Sequence, residues 1–190
     1  MAEGPNPIEV YQAALAQLRP ILAKGSATPD WSTPCVEWNV QSLVNHAIAV
    51  QNFAFTVLGP GTPDPASMGN VDHPLPSEGA EAALISITDQ VLATLKEMDF
   101  EAVVETPFGA MPGGQFIMVP ITDMIVHTWD IAKATGQNTT LDAGLAELGY
   151  NILVNVAEGG RANGAFGPEV TVPTSASFQD RMLGLSGRQP

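Results

Sequence analysis

The stretch "ITDMIVHTWDIAKATG", residues 121–136, sets Asp123, His127 and Asp130 into an otherwise largely apolar run. At 100° per residue these three side chains fall within about 60° of one another on a helix. Met124, Ile125, Val126, Trp129 and Ile131 take most of the remaining circumference, so the stripe faces little bulk water. A carboxylate in such a place must find a partner or take up a proton. Stranding its charge costs on the order of several kcal/mol, comparable with the net stability of a whole domain.

A candidate partner lies on an earlier helical segment. His46 shares an angular sector with Leu43, Val50, Phe53 and Val57, so it points inward. Asp123 and His127, four residues apart, have the spacing by which one helix presents two ligands to one ion. With His46 from a facing helix they make two imidazoles and a carboxylate, a set suited to a divalent transition metal at about 2.0–2.2 Å for zinc. Such a set leaves a coordination position open, as catalytic rather than structural sites do. The plainer alternative is a charge-assisted hydrogen bond between Asp123 and His127, with His46 a satisfied core histidine. Asp130 fits three roles: an acceptor behind a ligand imidazole, a substrate contact, or an ion-pair partner for a basic residue near the C-terminus. Cys35, in "TPCVEW", reads as a small packed hydrophobe, and His73 as a solvated loop histidine.

The elements that must position these groups are mainly helices. The first begins near Pro7 and carries Tyr11, Leu15, Leu18 and Leu22 on one stripe, with Pro20 expected to kink or shorten its end. Asn39 is the natural N-cap of a second helix running to about Leu58. From Gly59 to Ser77, five prolines and three glycines exclude a regular element and mark a long loop. Ser77 is expected to cap a third helix to about Met98, with Leu84, Ile87, Val91, Leu95 and Met98 on one face. "AVVETPFGAMPGG" reads as a short β-hairpin. The fourth helix, which carries the polar stripe, starts between Gln115 and Pro120 and ends near Gly136. A fifth, roughly Asp142 to Val156, shows Leu145, Leu148, Ile152 and Val156 and ends at Gly159-Gly160. Extended chain and a last short helical turn complete the sequence. These elements predict an all-α fold: a four-helix bundle with an additional C-terminal helix and a short β-hairpin. The expected organisation is one domain over 1–190, with its core at about 7–158 and a tail at 159–190.

Composition narrows the function. Of 190 residues, seven are basic and 20 acidic, giving a formal charge of −13, which repels phosphate backbones and anionic membrane surfaces. Neither nucleic acid nor a membrane is therefore an expected partner. No signal peptide and no run of 18 apolar residues occurs, and the single cysteine cannot make an internal disulfide; a cytoplasmic location is the default.

Two longer patterns carry a resemblance. "TPCVEWNVQSLVNHAIAV" and "PITDMIVHTWDIAKATG", with "TPFGAMPGG" and the ending "SFQDRMLGLSGRQP", make the chain similar to the DinB-like superfamily. Within it the chain resembles proteins related to the N-terminal domain of mycothiol-dependent maleylpyruvate isomerase. The resemblance implies a DinB-like four-helix bundle whose metal is held by one ligand from the second helix and two from the fourth: His46, Asp123 and His127. Relatives carry His or Glu at the second position; Asp is one methylene shorter than Glu, which bears on reach and on the choice of metal. Zinc or nickel is the implied ion, mycothiol the implied cosubstrate, and thiol transfer or isomerisation the implied chemistry. The isomerase has a further C-terminal domain contributing to its active site, and this chain stops soon after the bundle, so that particular activity is not carried over.

Three functions compete on this reading. One is an enzyme that turns a metal-held thiol on a small electrophile, with Asp130 orienting the ligands. Another is a metal- or small-molecule-binding module without turnover. The last is a structural bundle that assembles a homodimer, as related bundles do.

Overall fold

A computed structural model describes residues 5–59 and 61–190, so Pro60 of the proline-rich stretch lies outside the described residues. The chain forms two compact units, Met1–Asn138 and Thr139–Pro190.

The first unit is a four-helix bundle. Helix α1 spans Pro7–Gly25, α2 Val40–Leu58, α3 Ala80–Glu97 and α5 Met118–Ala134, with a single helical turn, α4, at Gly113–Phe116 just before α5. Helix α1 packs on α5 and α3, and α2 packs on the same two, so the four stand at the corners of a closed square. Most of the expected stripes are buried: Tyr11, Leu18 and Leu22 from α1, Leu43, Val50, Phe53 and Val57 from α2, Leu84, Ile87, Val91 and Leu95 from α3, while Leu15 and Met98, expected on the same faces, are only partly buried. Across the diagonal, the Tyr11 hydroxyl donates to Gln51 Oε1 at 2.7 Å.

The helix ends follow local chemistry. Asn6 Oδ1 accepts from Ile8 N–H with Pro7 in the first turn, and Asn39 Oδ1 accepts from Ser42 N–H, as the sequence predicts. Pro20 does not end α1, which continues to Gly25. There a Cβ would meet Ile131 Cγ2 at 2.6 Å, so glycine permits the close approach of α1 to α5. Gly136, at φ +65°, closes α5 in the left-handed conformation, with Gln137 N–H returning to Ala132 O at 2.9 Å in the Schellman manner. Pro120 sits in the first turn of α5, where its missing N–H costs nothing.

Two expectations for the segment before α3 are corrected. Ser77 does not cap that helix: Gly79, at φ +94°, stands at the N-cap without a side-chain bond, and the Ser77 hydroxyl donates to Glu78 instead. The proline-rich stretch is not wholly irregular, since Pro65–Gly69 winds into a 3-10 helix capped by Asp64 Oδ1. The hairpin forms as expected, Val103–Val104 (β1) pairing antiparallel with Met111–Pro112 (β2).

In the second unit, α6 spans Ala143–Ala162 and α7 Phe178–Leu185, packed on each other. Helix α6 runs through Gly159-Gly160 rather than stopping there. Its buried face is Leu145, Ala146, Gly149, Leu153 and Ala157, rotated by about one residue from the expected stripe, and Val156 is 49% exposed. Small residues admit the neighbouring helix and draw the face toward themselves. Among the described residues no helix is long and apolar enough to cross a membrane.

Candidate metal centre

The polar stripe of α5 meets His46 of α2 inside the bundle. Asp123 Oδ1 lies 3.2 Å from His46 Nε2 and 3.3 Å from His127 Nε2, so one carboxylate oxygen is shared by two imidazoles. The rings stand edge to face with centroids 5.0 Å apart. Their other nitrogens are already engaged. His46 Nδ1 donates to the Met68 carbonyl at 2.8 Å, and His127 Nδ1 faces Asp130 Oδ2 at 2.8 Å. Asp130 is fully buried and accepts behind the His127 ring, the first of the roles expected for it.

This arrangement requires positive charge at its centre. With Nδ1 of each ring committed to an oxygen, both Nε2 atoms and Asp123 Oδ1 confront one another, and either protons or a cation must lie between them. Burial alone would push the Asp123 carboxyl up; the charges of His127 and His46 and their hydrogen bonds outweigh it and hold the group well below the usual carboxylate range. Burial would likewise lower the His127 imidazole, but the Asp123 charge, with hydrogen bonds to Asp123, Asp130 and Cys35, holds it well above its ordinary value. Without a metal, then, the two carboxylates beside it favour the charged form of His127. Asp123 Oδ2 is buried with no hydrogen-bond partner, an acceptor left over when only protons fill the centre.

The same atoms fit a divalent ion. His46, Asp123 and His127 each offer one ligand atom, and the three lie within 4.8 Å of one another. Tetrahedral zinc with nitrogen and oxygen ligands at about 2.0–2.1 Å separates them by about 3.3 Å. The two nitrogen–oxygen separations already match that figure.

Groups outside the helices complete the surroundings. In the turn before α2, the Thr33 hydroxyl donates to the Trp38 carbonyl at 2.7 Å and accepts from Cys35 N–H at 3.1 Å, while Trp38 N–H donates to Cys35 O at 2.8 Å. Ser32 and Asn39 pair across the base of this turn. The closed turn lays the Trp38 ring against His46, centroids 4.5 Å apart, and directs the Cys35 thiol to Asp130 Oδ2 at 3.4 Å. Cys35 is thus not the packed hydrophobe expected; its thiol takes part in a polar cluster. The spacing of Cys35 and Trp38 just ahead of the α2 cap was the available signal. The Met68 carbonyl had none, being backbone. Asn45, buried beside His46, donates through Nδ2 to Val71 O at 3.0 Å and His73 O at 2.7 Å, so neighbouring α2 residues grip one loop. The His73 side chain is exposed, as expected, and takes no part.

Comparison with known proteins covers the segment that carries these groups. The model of the family described as "Mycothiol maleylpyruvate isomerase N-terminal domain" matches residues 11–132, which include every group named above. Two uncharacterized proteins of Mycobacterium tuberculosis, from strains CDC 1551 / Oshkosh and ATCC 25618 / H37Rv, are each 30% identical over 145 residues, 74% of this chain and 74% of theirs. No solved structure matches the chain.

Proposed function

We propose that this chain, which belongs to the mycothiol maleylpyruvate isomerase N-terminal domain family, is a metal-dependent thiol transferase or isomerase-like enzyme acting on a small electrophile. His46, Asp123 and His127 would hold the ion, zinc or nickel. The carrying observation is the convergence of two imidazole Nε2 atoms on Asp123 Oδ1 at 3.2 and 3.3 Å, with both Nδ1 atoms tied off.

A divalent ion bound there supplies Lewis acidity, lowering the pKa of a low-molecular-weight thiol, mycothiol by family, so that it serves as a nucleophile at neutral pH. The chain's own residues prepare that position. The Met68 carbonyl and Asp130 hold the two rings so that Nε2, not Nδ1, faces the centre. Asp123 contributes one negative charge and keeps its second oxygen in reserve. The Trp38 ring covers one side of His46 and keeps bulk water from it. With nucleophilicity supplied by the cosubstrate, no side chain need attack.

Metal content and turnover test separate parts of this reading. Protein purified without added metal, or loaded with zinc or nickel afterwards, should hold about one ion per chain at this centre, lost in His46→Ala. Equal, negligible binding by both proteins would refute the metal centre. Loaded protein incubated with mycothiol and a panel of electrophiles should form thioether adducts above the uncatalysed rate. Adducts that form equally fast with His46→Ala would remove the catalytic role.

A further inference from the structure

A second group of metal-binding atoms lies on the far edge of the His127 ring. Cys35, His127 and Asp130 each offer one ligand atom within 4.8 Å of the other two, and Cys35 Sγ lies 3.4 Å and His127 Nδ1 2.8 Å from Asp130 Oδ2. We propose that Cys35, Asp130 and His127 Nδ1 form a second, thiol-bearing ligand set that takes a soft divalent d10 ion such as cadmium, beside the His46–Asp123–His127 centre and sharing His127 with it.

Geometry favours the set. Tetrahedral zinc, with sulfur at about 2.3 Å and nitrogen and oxygen at about 2.0–2.1 Å, separates S from O by about 3.5 Å and N from O by about 3.3 Å, and the larger cadmium ion asks for the same pattern opened further. The observed S···O distance is already close to the first value, and the N···O pair must open by about 0.5 Å to reach the second. Cys35 does not reach Asp130 by accident of packing. The Thr33 hydroxyl, bonded on both sides, and the Trp38-to-Cys35 backbone bond close the turn that aims it. Cys35 is half-buried while His127 and Asp130 are buried, so the thiol is the edge from which a solute enters.

Charge favours it as well. One divalent ion at the first centre is balanced by the Asp123 and Asp130 carboxylates. A second ion displaces the Cys35 S–H proton and the remaining His127 ring proton, both released to solvent; a metal–sulfur bond forms and no electron changes hands. Two divalent ions then face two carboxylates, one thiolate and one bridging imidazolate, so these ligands supply four negative charges against four positive. Softness sorts the ions, since thiolate prefers cadmium to magnesium or calcium while the first centre offers nitrogen and oxygen only.

Cadmium titration of the metal-free protein tests this. The wild type should bind about two ions per chain and develop the ultraviolet charge-transfer band of a cadmium–thiolate bond. Cys35→Ser should bind about one ion and show no band, whereas His46→Ala should keep the band. A solitary surface thiol would bind without help from its neighbours, so Asp130→Asn should weaken the band-forming event at least tenfold. A band of unchanged affinity in that variant overturns the proposal. Independently of any variant, cadmium should protect Cys35 from alkylation by iodoacetamide in the wild type. If the wild type binds cadmium with neither band nor protection, the second set is refuted while the His46-dependent centre stands. A band without a His46-dependent ion leaves the second set standing and removes the first.

Discussion

Asp130 touches both ligand groups, standing behind His127 in the first and beside Cys35 in the second. Its Oδ2 receives His127 Nδ1 at 2.8 Å and the Cys35 thiol at 3.4 Å in a fully buried position. A carboxylate behind a ligand imidazole fixes the ring and raises its basicity, so Asp130→Asn, which keeps the shape and removes the charge, should lower affinity for the first ion by about 10–100-fold. Competition against a chromophoric chelator measures this, with circular dichroism to show that the fold persists. An unchanged affinity would mean that the charge of Asp130 does not tune the His127 ring. The same residue shows why the site was only partly legible. The angular position of Asp130 announced that it shares a face with His127, whereas the thiol opposite it comes from a turn whose shape depends on three hydrogen bonds around Thr33 and Trp38.

Between elements, the hydrogen bond from Tyr11 of α1 to Gln51 of α2 joins two helices that stand at opposite corners of the square. Both residues are buried, and Gln51 Nε2 has no partner, so this bond is what satisfies the buried Gln51 side chain at its oxygen. Tyr11→Phe would leave Gln51 Oε1 unpaired and should cost about 1–3 kcal/mol, read from chemical denaturation. A loss within error of zero would show that water or a rotated Gln51 replaces the hydroxyl. Periodicity located α1, α2, α3 and α5 because large aliphatic and aromatic side chains mark their inner faces. It misplaced the face of α6 because there Ala146, Gly149 and Ala157 are buried for their small size, a property that a count of large apolar residues overlooks. It misassigned the start of α3 because Ser77 has a capping side chain, while Gly79 supplies a positive φ that lets the chain enter the helix.

At the level of the whole molecule, 20 acidic residues against seven basic ones set a background of self-repulsion. Screening should therefore stabilise the metal-free chain. Raising sodium chloride from about 0.01 M to about 0.15 M shortens the Debye length from about 30 Å to about 8 Å. The thermal midpoint should rise by about 2–4 °C for each kcal/mol of repulsion removed. A midpoint that falls with salt would mean that favourable pairs such as Arg19–Glu81, 2.7 Å apart, outweigh the excess charge. The family match and all the ligand groups lie in the first unit, so the chemistry proposed here is encoded before residue 139.

The loop gripped by α2 carries a different kind of constraint. What it contributes to His46 is the carbonyl of Met68, and what Asn45 holds are the carbonyls of Val71 and His73. Every amino acid has that oxygen. Side chains along this part of the loop can be exchanged without deleting an acceptor, but inserting or removing one residue shifts all three out of register with two adjacent positions of a rigid helix. The loop is therefore a spacer whose length is fixed and whose wording is free except where a side chain such as Val71 is buried.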